Sequence, residues 1–233
     1  MAAPDLLRLA ALNNAEWCDT VARTHGLTGA FGDGLWSSAE RTPDLYPDAV
    51  TLRPGVPASA VLAAVDATDG CSVKDGFADL ALGDHGFGLL LAGRWIGRLP
   101  GHATPPPPPP ARLTWSPARS VQDVAEFGDA WGRGGPHPFR PALLEDRRAT
   151  LLTGRLAGTV VAGAALNDTG PVTGVSNVFG ADADPAELWA ELDAALTAHL
   201  GGRPLVGWAS VQDLTEPLTR GFSDLGPLRV WLR

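Results

Sequence analysis

The chain contains a single lysine and a single tyrosine, and each stands where a side chain could do chemistry. Lys74 lies in Cys71-Ser-Val-Lys-Asp-Gly-Phe77, beside Asp75. Desolvated in a cleft, a lysine can serve as a base, a carboxylate binder or an imine former, because burial weakens its hold on the proton. The same segment also reads as a solvated lysine in a turn at Gly76. Tyr46 lies in Arg41-Thr-Pro-Asp-Leu-Tyr-Pro-Asp48, just before a β-rich run. From there a phenol can project into a pocket, to donate a hydrogen bond or act as a general acid. Its plainer reading is a loop tyrosine over a core edge, with Asp48 capping a turn. Lys74, Tyr46 and Asp75 are therefore the candidate catalytic residues.

A third motif, Asn14-Ala-Glu-Trp-Cys-Asp-Thr-Val-Ala-Arg-Thr-His-Gly26, reads as a helix capped by Asn14 and stopped by Gly26. Cys18 and His25, seven apart, share a face with Val21, which opens a thiolate–imidazolium reading. Two helical turns set them about 10.5 Å apart, and cysteine is among the most buried residue types, so packing is the stronger reading. Of eight tryptophans, Trp17 and Trp36 flank these motifs and could line an apolar pocket, whereas Trp208 and Trp231 fall in core strands. Cys18, Trp17 and Trp36 join the candidate substrate-binding residues.

Composition narrows the partners. Over 233 residues, 45% are hydrophobic, 19% are charged and the net charge is −8, a globular pattern with no clustered arginine. Nucleic-acid binding needs such clusters and is not expected. Two cysteines and five scattered histidines offer no metal-ligand spacing. With no apolar run near the ~20 residues of a membrane span and no leader pattern, the expectation is a cytoplasmic protein without membrane contact. The partner expected is a small-molecule substrate or ligand; the oligomeric state is not readable.

The elements that must position these residues fall on either side of six prolines, Pro105 to Pro110, a stiff polyproline II spacer. Residues 1–104 form an N-terminal α/β region and residues 111–233 a second region. In the second, Asp184, Pro185 and Glu187 predict a capped helix start, with Glu187 completing a capping box, and Gly201 and Gly202 end the helix after Leu200. β-Rich runs at 155–166 and 172–179, joined by Asn167-Asp-Thr-Gly170, predict a hairpin. Residues 113–116 and 204–210 read as strands, 120–131 and 214–225 as helices, and 228–232 as a closing strand.

A hairpin leading into a capped helix, then strand, helix and strand, resembles the fold of the GCN5-related N-acetyltransferases (GNATs). Thr159-Val-Val-Ala-Gly-Ala-Ala165 is similar to the central GNAT strand, and Gly174-Val-Ser-Asn-Val-Phe179 to the strand ending at the acyl-CoA site. Gly221-Phe222 with Leu225-Gly226 is similar to the ending before the last strand. The resemblance implies an α+β fold with a mixed central sheet flanked by helices, and a first region that is a half-degenerate second GNAT-like unit. It also puts Ser176 and Asn177 on the acceptor-site strand, and Glu145 beside the groove as a base, or else in a solvated charge cluster.

The family grips the pyrophosphate of acyl-CoA with a glycine-rich loop and free helix N–H groups. The matching stretch here, Gly180-Ala-Asp-Ala-Asp-Pro-Ala-Glu187, brings Asp182, Asp184 and Glu187 to that place, and Pro185 removes a donor. Acetyl-CoA is therefore disfavoured and no other cofactor is implied. The tyrosine that many relatives use as general acid is absent from 212–225, where the hydroxyls are Thr215, Thr219 and Ser223. The expected function is a GNAT-fold enzyme acting on a small metabolite by repurposed chemistry. The alternatives are a non-catalytic binding module and an interaction protein whose halves pack together.

Overall fold

In the computed structural model, residues 3–101, 112–181 and 183–233 are described. The polyproline segment and Asp182 lie outside them. The N-terminal region contributes α1 (Ala3–Thr24), β1 (Gly29–Gly32), β2 (Leu35–Ser38), β3 (Ala49–Thr51), α2 (Ala58–Ala64), β4 (Ser72–Asp75) and β5 (Gly88–Arg98). The second contributes β6 (Thr114–Pro117), α3 (Val121–Trp131), β7 (Ala149–Leu156), β8 (Thr159–Asp168), β9 (Thr173–Gly180), α4 (Pro185–Leu200), β10 (Leu205–Ser210), α5 (Thr215–Thr219) and β11 (Ser223–Leu232).

The strands form one mixed sheet in the order β1-β2-β3-β4-β11-β5-β10-β9-β8-β7-β6. It is an α+β sheet flanked by helices on both faces. The two parallel pairings, β3 with β4 and β9 with β10, each span a helical crossover, α2 and α4. The last strand of each region is exchanged: β5 lies between β10 and β11, and β11 between β4 and β5. Neither region's sheet is thus continuous without a strand from the other.

Side-chain alternation sorts the core by face. Leu151 packs under α1 and α3 with Trp17, Val124 and Phe127, whereas Leu152 packs under α4 with Leu192 and Leu196. Helix α1 belongs to the first region but lies on strands of both. Asn13 Nδ2 donates to the Asn167 carbonyl at 2.8 Å, and Asn167 Nδ2 returns a bond to the Asn13 carbonyl at 3.1 Å. A close approach at Gly174 makes room, since a β-carbon there would run into the Asn13 side chain.

Several expectations are corrected. Helix α1 begins at Ala3, so Asn14 is a buried mid-helix residue rather than a cap. The run at 155–166 is broken at Ala157 and Gly158, both with positive φ, which turn β7 into β8. Asp184 does cap α4, but the Glu187 carboxylate pairs with Arg112 instead of closing a capping box. The expected helix over 214–225 stops at Thr219, because Gly221 takes a left-handed φ of +80°. Gly226 and Pro227 then fall inside β11, where the register shifts between Asp224 and Gly226.

Candidate functional site

Strands β9 and β10 are paired only over Thr173–Val175 and Leu205–Gly207. They touch closely there, since a β-carbon on Gly207 would sit 2.5 Å from the Val175 carbonyl oxygen. Beyond Val175, β9 bulges: its register with β8 slips between Ala165 and Gly163, and Asn177 adopts a left-handed φ of +51°. The strands part, and a cavity of about 910 Å³ opens between them. Its walls come from both faces of the sheet: Trp17 of α1 on one side, Leu188 and Trp189 of α4 on the other.

At the α1 end, Asn14, Trp17 and Cys18 stand at the i, i+3, i+4 spacing that puts them on one helix face. Opposite them is Lys74. It is 5% exposed; its Nζ donates to Asn14 Oδ1 at 2.9 Å and sits 4.5 Å from the centroid of the Trp208 ring. Loss of hydration lowers its pKa from 10.5 to about 8. No described carboxylate forms an ion pair with it. The reading of Lys74 as a solvated turn residue is therefore overturned.

Tyr46 reaches the same cavity from the loop between β2 and β3. Buried Asp48 holds that loop by accepting from the Thr42 N–H at 2.8 Å and by pairing with Arg41. The Tyr46 hydroxyl accepts from Trp17 Nε1 at 3.0 Å and donates to Asn177 Oδ1 at 3.2 Å. Asn177 Oδ1 also accepts from Trp17 Nε1 at 3.0 Å and Ser176 Oγ at 3.1 Å. Three donors on one atom fix the amide orientation. Burial raises the Tyr46 pKa, so the phenol keeps its proton. Cys18 is buried too, and desolvation pushes its thiol up to about 11.

Lys74, Tyr46, Cys18, Trp17, Ser176 and Asn177 thus share one cavity, drawn from both regions. The other three candidates stand apart. The fully buried Asp75 carboxylate accepts from the N–H groups of Asp79 and Leu80, at 3.2 and 3.1 Å, and shapes the turn after β4. Trp36 is fully buried beneath α1, with its indole N–H on Asp19 at 3.0 Å. Glu145 is exposed at the end of a 3₁₀ turn, away from the cavity. Cys18 and His25 form no pair, since His25 Nε2 bonds the Pro138 carbonyl at 2.7 Å. Sequence reasoning missed Asn14 and Trp208. The i, i+3, i+4 spacing of Asn14 with Trp17 and Cys18 was the available signal for the first.

Two solved acetyltransferase structures align with nearly the whole chain. A GCN5-related N-acetyltransferase from Kribbella flavida superposes on 96% of this chain and 95% of its own, with a TM-score of 0.58 and 18% identity. This chain has the GNAT fold. A putative acetyltransferase of the GNAT family from Novosphingobium aromaticivorans covers 95% of this chain and 97% of its own, with a TM-score of 0.54 and 16% identity. A third, from Sphaerobacter thermophilus, covers 75% of this chain at 12% identity and a TM-score of 0.53. No family model matches the sequence, and no curated protein matches it. The GNAT likeness spans both regions.

Acyl-CoA is the cofactor that this fold implies, and the first turn of α4 does not fit its pyrophosphate. Pro185 has no N–H, while Asp184 Oδ1 accepts from the N–H groups of Ala186 at 2.9 Å and Glu187 at 3.2 Å. The Leu188 N–H is spent on the Asp184 carbonyl. A carboxylate occupies the donors that an incoming phosphate would need. Thr215 lines the cavity, and the Thr219 hydroxyl is bonded to the Glu216 carbonyl. Among the described residues, no cluster of three or more His, Cys, Asp or Glu could hold a metal, and no helix is long and apolar enough to cross a membrane.

Proposed function

We propose that this chain is a GNAT-fold enzyme acting on a small metabolite in the cavity between β9 and β10, by chemistry that does not use acyl-CoA phosphates at α4. The observation that carries this reading is the convergence of Lys74, Asn14, Tyr46 and Asn177, from four separate segments, on one aromatic-walled cavity. Lys74 is the group on which turnover depends. In the empty cavity, with a pKa of about 8, it exchanges a proton close to neutral pH. Tyr46 and Asn177 orient the bound molecule rather than titrate. By the same reading, the first region is a degenerate second GNAT-like unit that supplies Lys74 and Tyr46.

Calorimetric titration with acetyl-CoA comes first, and no heat is expected at millimolar cofactor. Incubation with a chemically mixed metabolite pool, followed by mass spectrometry, then reads consumption by the wild type against Lys74→Met. Turnover by both proteins alike shows that turnover does not depend on Lys74, and micromolar acetyl-CoA binding restores acyl transfer. A non-catalytic binding module is the second reading, favoured by the Tyr46 hydroxyl being held between Trp17 and Asn177. Saturable binding without consumption would decide for it.

A further inference from the structure

The polar groups of this cavity are unbalanced at the Lys74 end. Lys74 Nζ carries three N–H donors and spends one on Asn14 Oδ1. Because that ammonium fixes the Asn14 oxygen, the Asn14 Nδ2 group is left without a protein partner among the described residues. The same logic applies at Asn177, whose oxygen collects three donors while its Nδ2 group has no protein acceptor among the described residues. The remaining polar neighbours neutralise nothing: the Cys18 thiol and the Tyr46 phenol are both kept protonated by burial. The acids of the wall, Asp213 and Glu216, belong to the β10–α5 segment, and Asp213 is bonded to Ser210.

A buried ammonium with no counter-charge is expensive unless something pairs with it. Aromatic faces at Trp208 and Trp95 offset part of that cost, at 4.5 and 6.0 Å. They supply no acceptor for the two unused N–H bonds. The missing component is an acceptor-rich anion small enough to enter an aromatic-walled space.

We propose that the ligand of this cavity is a monocarboxylate with an aryl or alkyl body. Its carboxylate docks on Lys74 Nζ and Asn14 Nδ2, its body lies against Trp17 and Trp208, and an acceptor group farther along meets Asn177 Nδ2. This rests on the cavity being a small-molecule site and names the ligand class for it. A carboxylate is favoured over a phosphate because one ammonium and one amide match a single negative charge and two oxygens.

The test uses the full chain and three compounds of one shape: 3-phenylpropanoate, 3-phenylpropanamide and 3-phenylpropylamine. Calorimetry should show the acid binding roughly tenfold or more tightly than the amide, with no binding of the amine. Lys74→Met should lose the acid and keep the amide. Asn14→Asp, which gives Lys74 an internal counter-charge, should also lose the acid. Equal binding of acid and amide, or an acid that binds Lys74→Met as well as wild type, overturns the proposal and leaves the small-molecule reading standing. Absence of binding by all three compounds also overturns it. The small-molecule reading falls separately, if no neutral, cationic or anionic metabolite shifts the melting temperature of the wild type relative to a cavity-filling Ser176→Trp variant.

Discussion

Lys74 Nζ lies 2.9 Å from Asn14 Oδ1, joining β4 to a helix sixty residues earlier in the chain, and no carboxylate among the described residues pairs with it. Its pKa of about 8 in the fold, against 10.5 when unfolded, gives this contact a pH signature. Between those values the unfolded chain holds more protons than the folded one, so the Lys74 contribution to stability rises with pH. The penalty is complete below about pH 8 and relieved towards 10.5, amounting to roughly 3 kcal/mol. Cys18 acts oppositely, because its raised pKa costs stability as pH climbs from 9 towards 11. The difference between wild type and Lys74→Met isolates the lysine. Urea unfolding from pH 7 to 10 should show wild type gaining on the variant by a few kcal/mol, and parallel curves would contradict the uncompensated cation.

Trp17, Tyr46 and Asn177 make a second, graded prediction. Tyr46→Phe removes one donor and leaves Asn177 Oδ1 with two, so it should cost about 1 kcal/mol. Asn177→Leu strips the acceptor from three donors and puts a bulky residue at φ +51°, so it should cost about 2–4 kcal/mol. Asn177→Gly loses the same acceptor but suits the backbone, and should fall between them. Chemical denaturation of the three variants reads the order, and a glycine variant less stable than the leucine one would contradict the role of the bulge.

The first turn of α4 can be reopened. Asp184→Ser keeps a cap with a neutral oxygen, and adding Pro185→Ala restores a backbone N–H. The double variant should give a saturable calorimetric signal with acetyl-CoA where the wild type gives none, because a fixed carboxylate no longer repels the phosphates. No heat from the double variant either would place the obstruction elsewhere. Substituting Asp184 by Ala alone should cost about 1 kcal/mol in stability through the lost cap.

Local chemistry is legible along this chain where one segment decides the outcome. Asp184-Pro185 starts α4 and Gly201 ends it as the residues dictate, and Ser120 with Asp123 caps α3. What one segment cannot disclose is which strand becomes its neighbour. Asn14 looks like a cap because asparagine favours that position and Gly26 stops the run after it, yet Leu6, Ala10 and Ala11 on the turns before it are buried with strands that arrive from the other region. Trp208 looks like core because its strand is apolar, but the parting of β9 and β10 leaves its ring facing Lys74. Asp75 looks catalytic beside Lys74, yet its carboxylate is spent on the turn after β4, where it accepts from the N–H groups of Asp79 and Leu80.

Strand exchange makes the two regions interdependent, and chain cleavage tests it. β5 makes six register pairs with β10 and nine with β11, so a fragment of residues 111–233 leaves β10 and β11 without the strand that separates them. A fragment of residues 1–104 lacks β11 between β4 and β5, and exposes the face of α1 that covers Val172 and Val206. Unpaired strand edges and uncovered apolar surface favour aggregation over folding. Each fragment alone should lack a cooperative unfolding transition, whereas the two coexpressed should copurify as a one-to-one complex melting cooperatively. Because Lys74 and Tyr46 reside on one fragment and Asn177 on the other, only the complex should display the lowered Lys74 pKa. With one lysine in the chain, isotope-labelled reductive methylation would reveal it as a single titrating side-chain signal. A 111–233 fragment that folds cooperatively by itself would mean that β10 and β11 can pair directly, and that the exchange is dispensable.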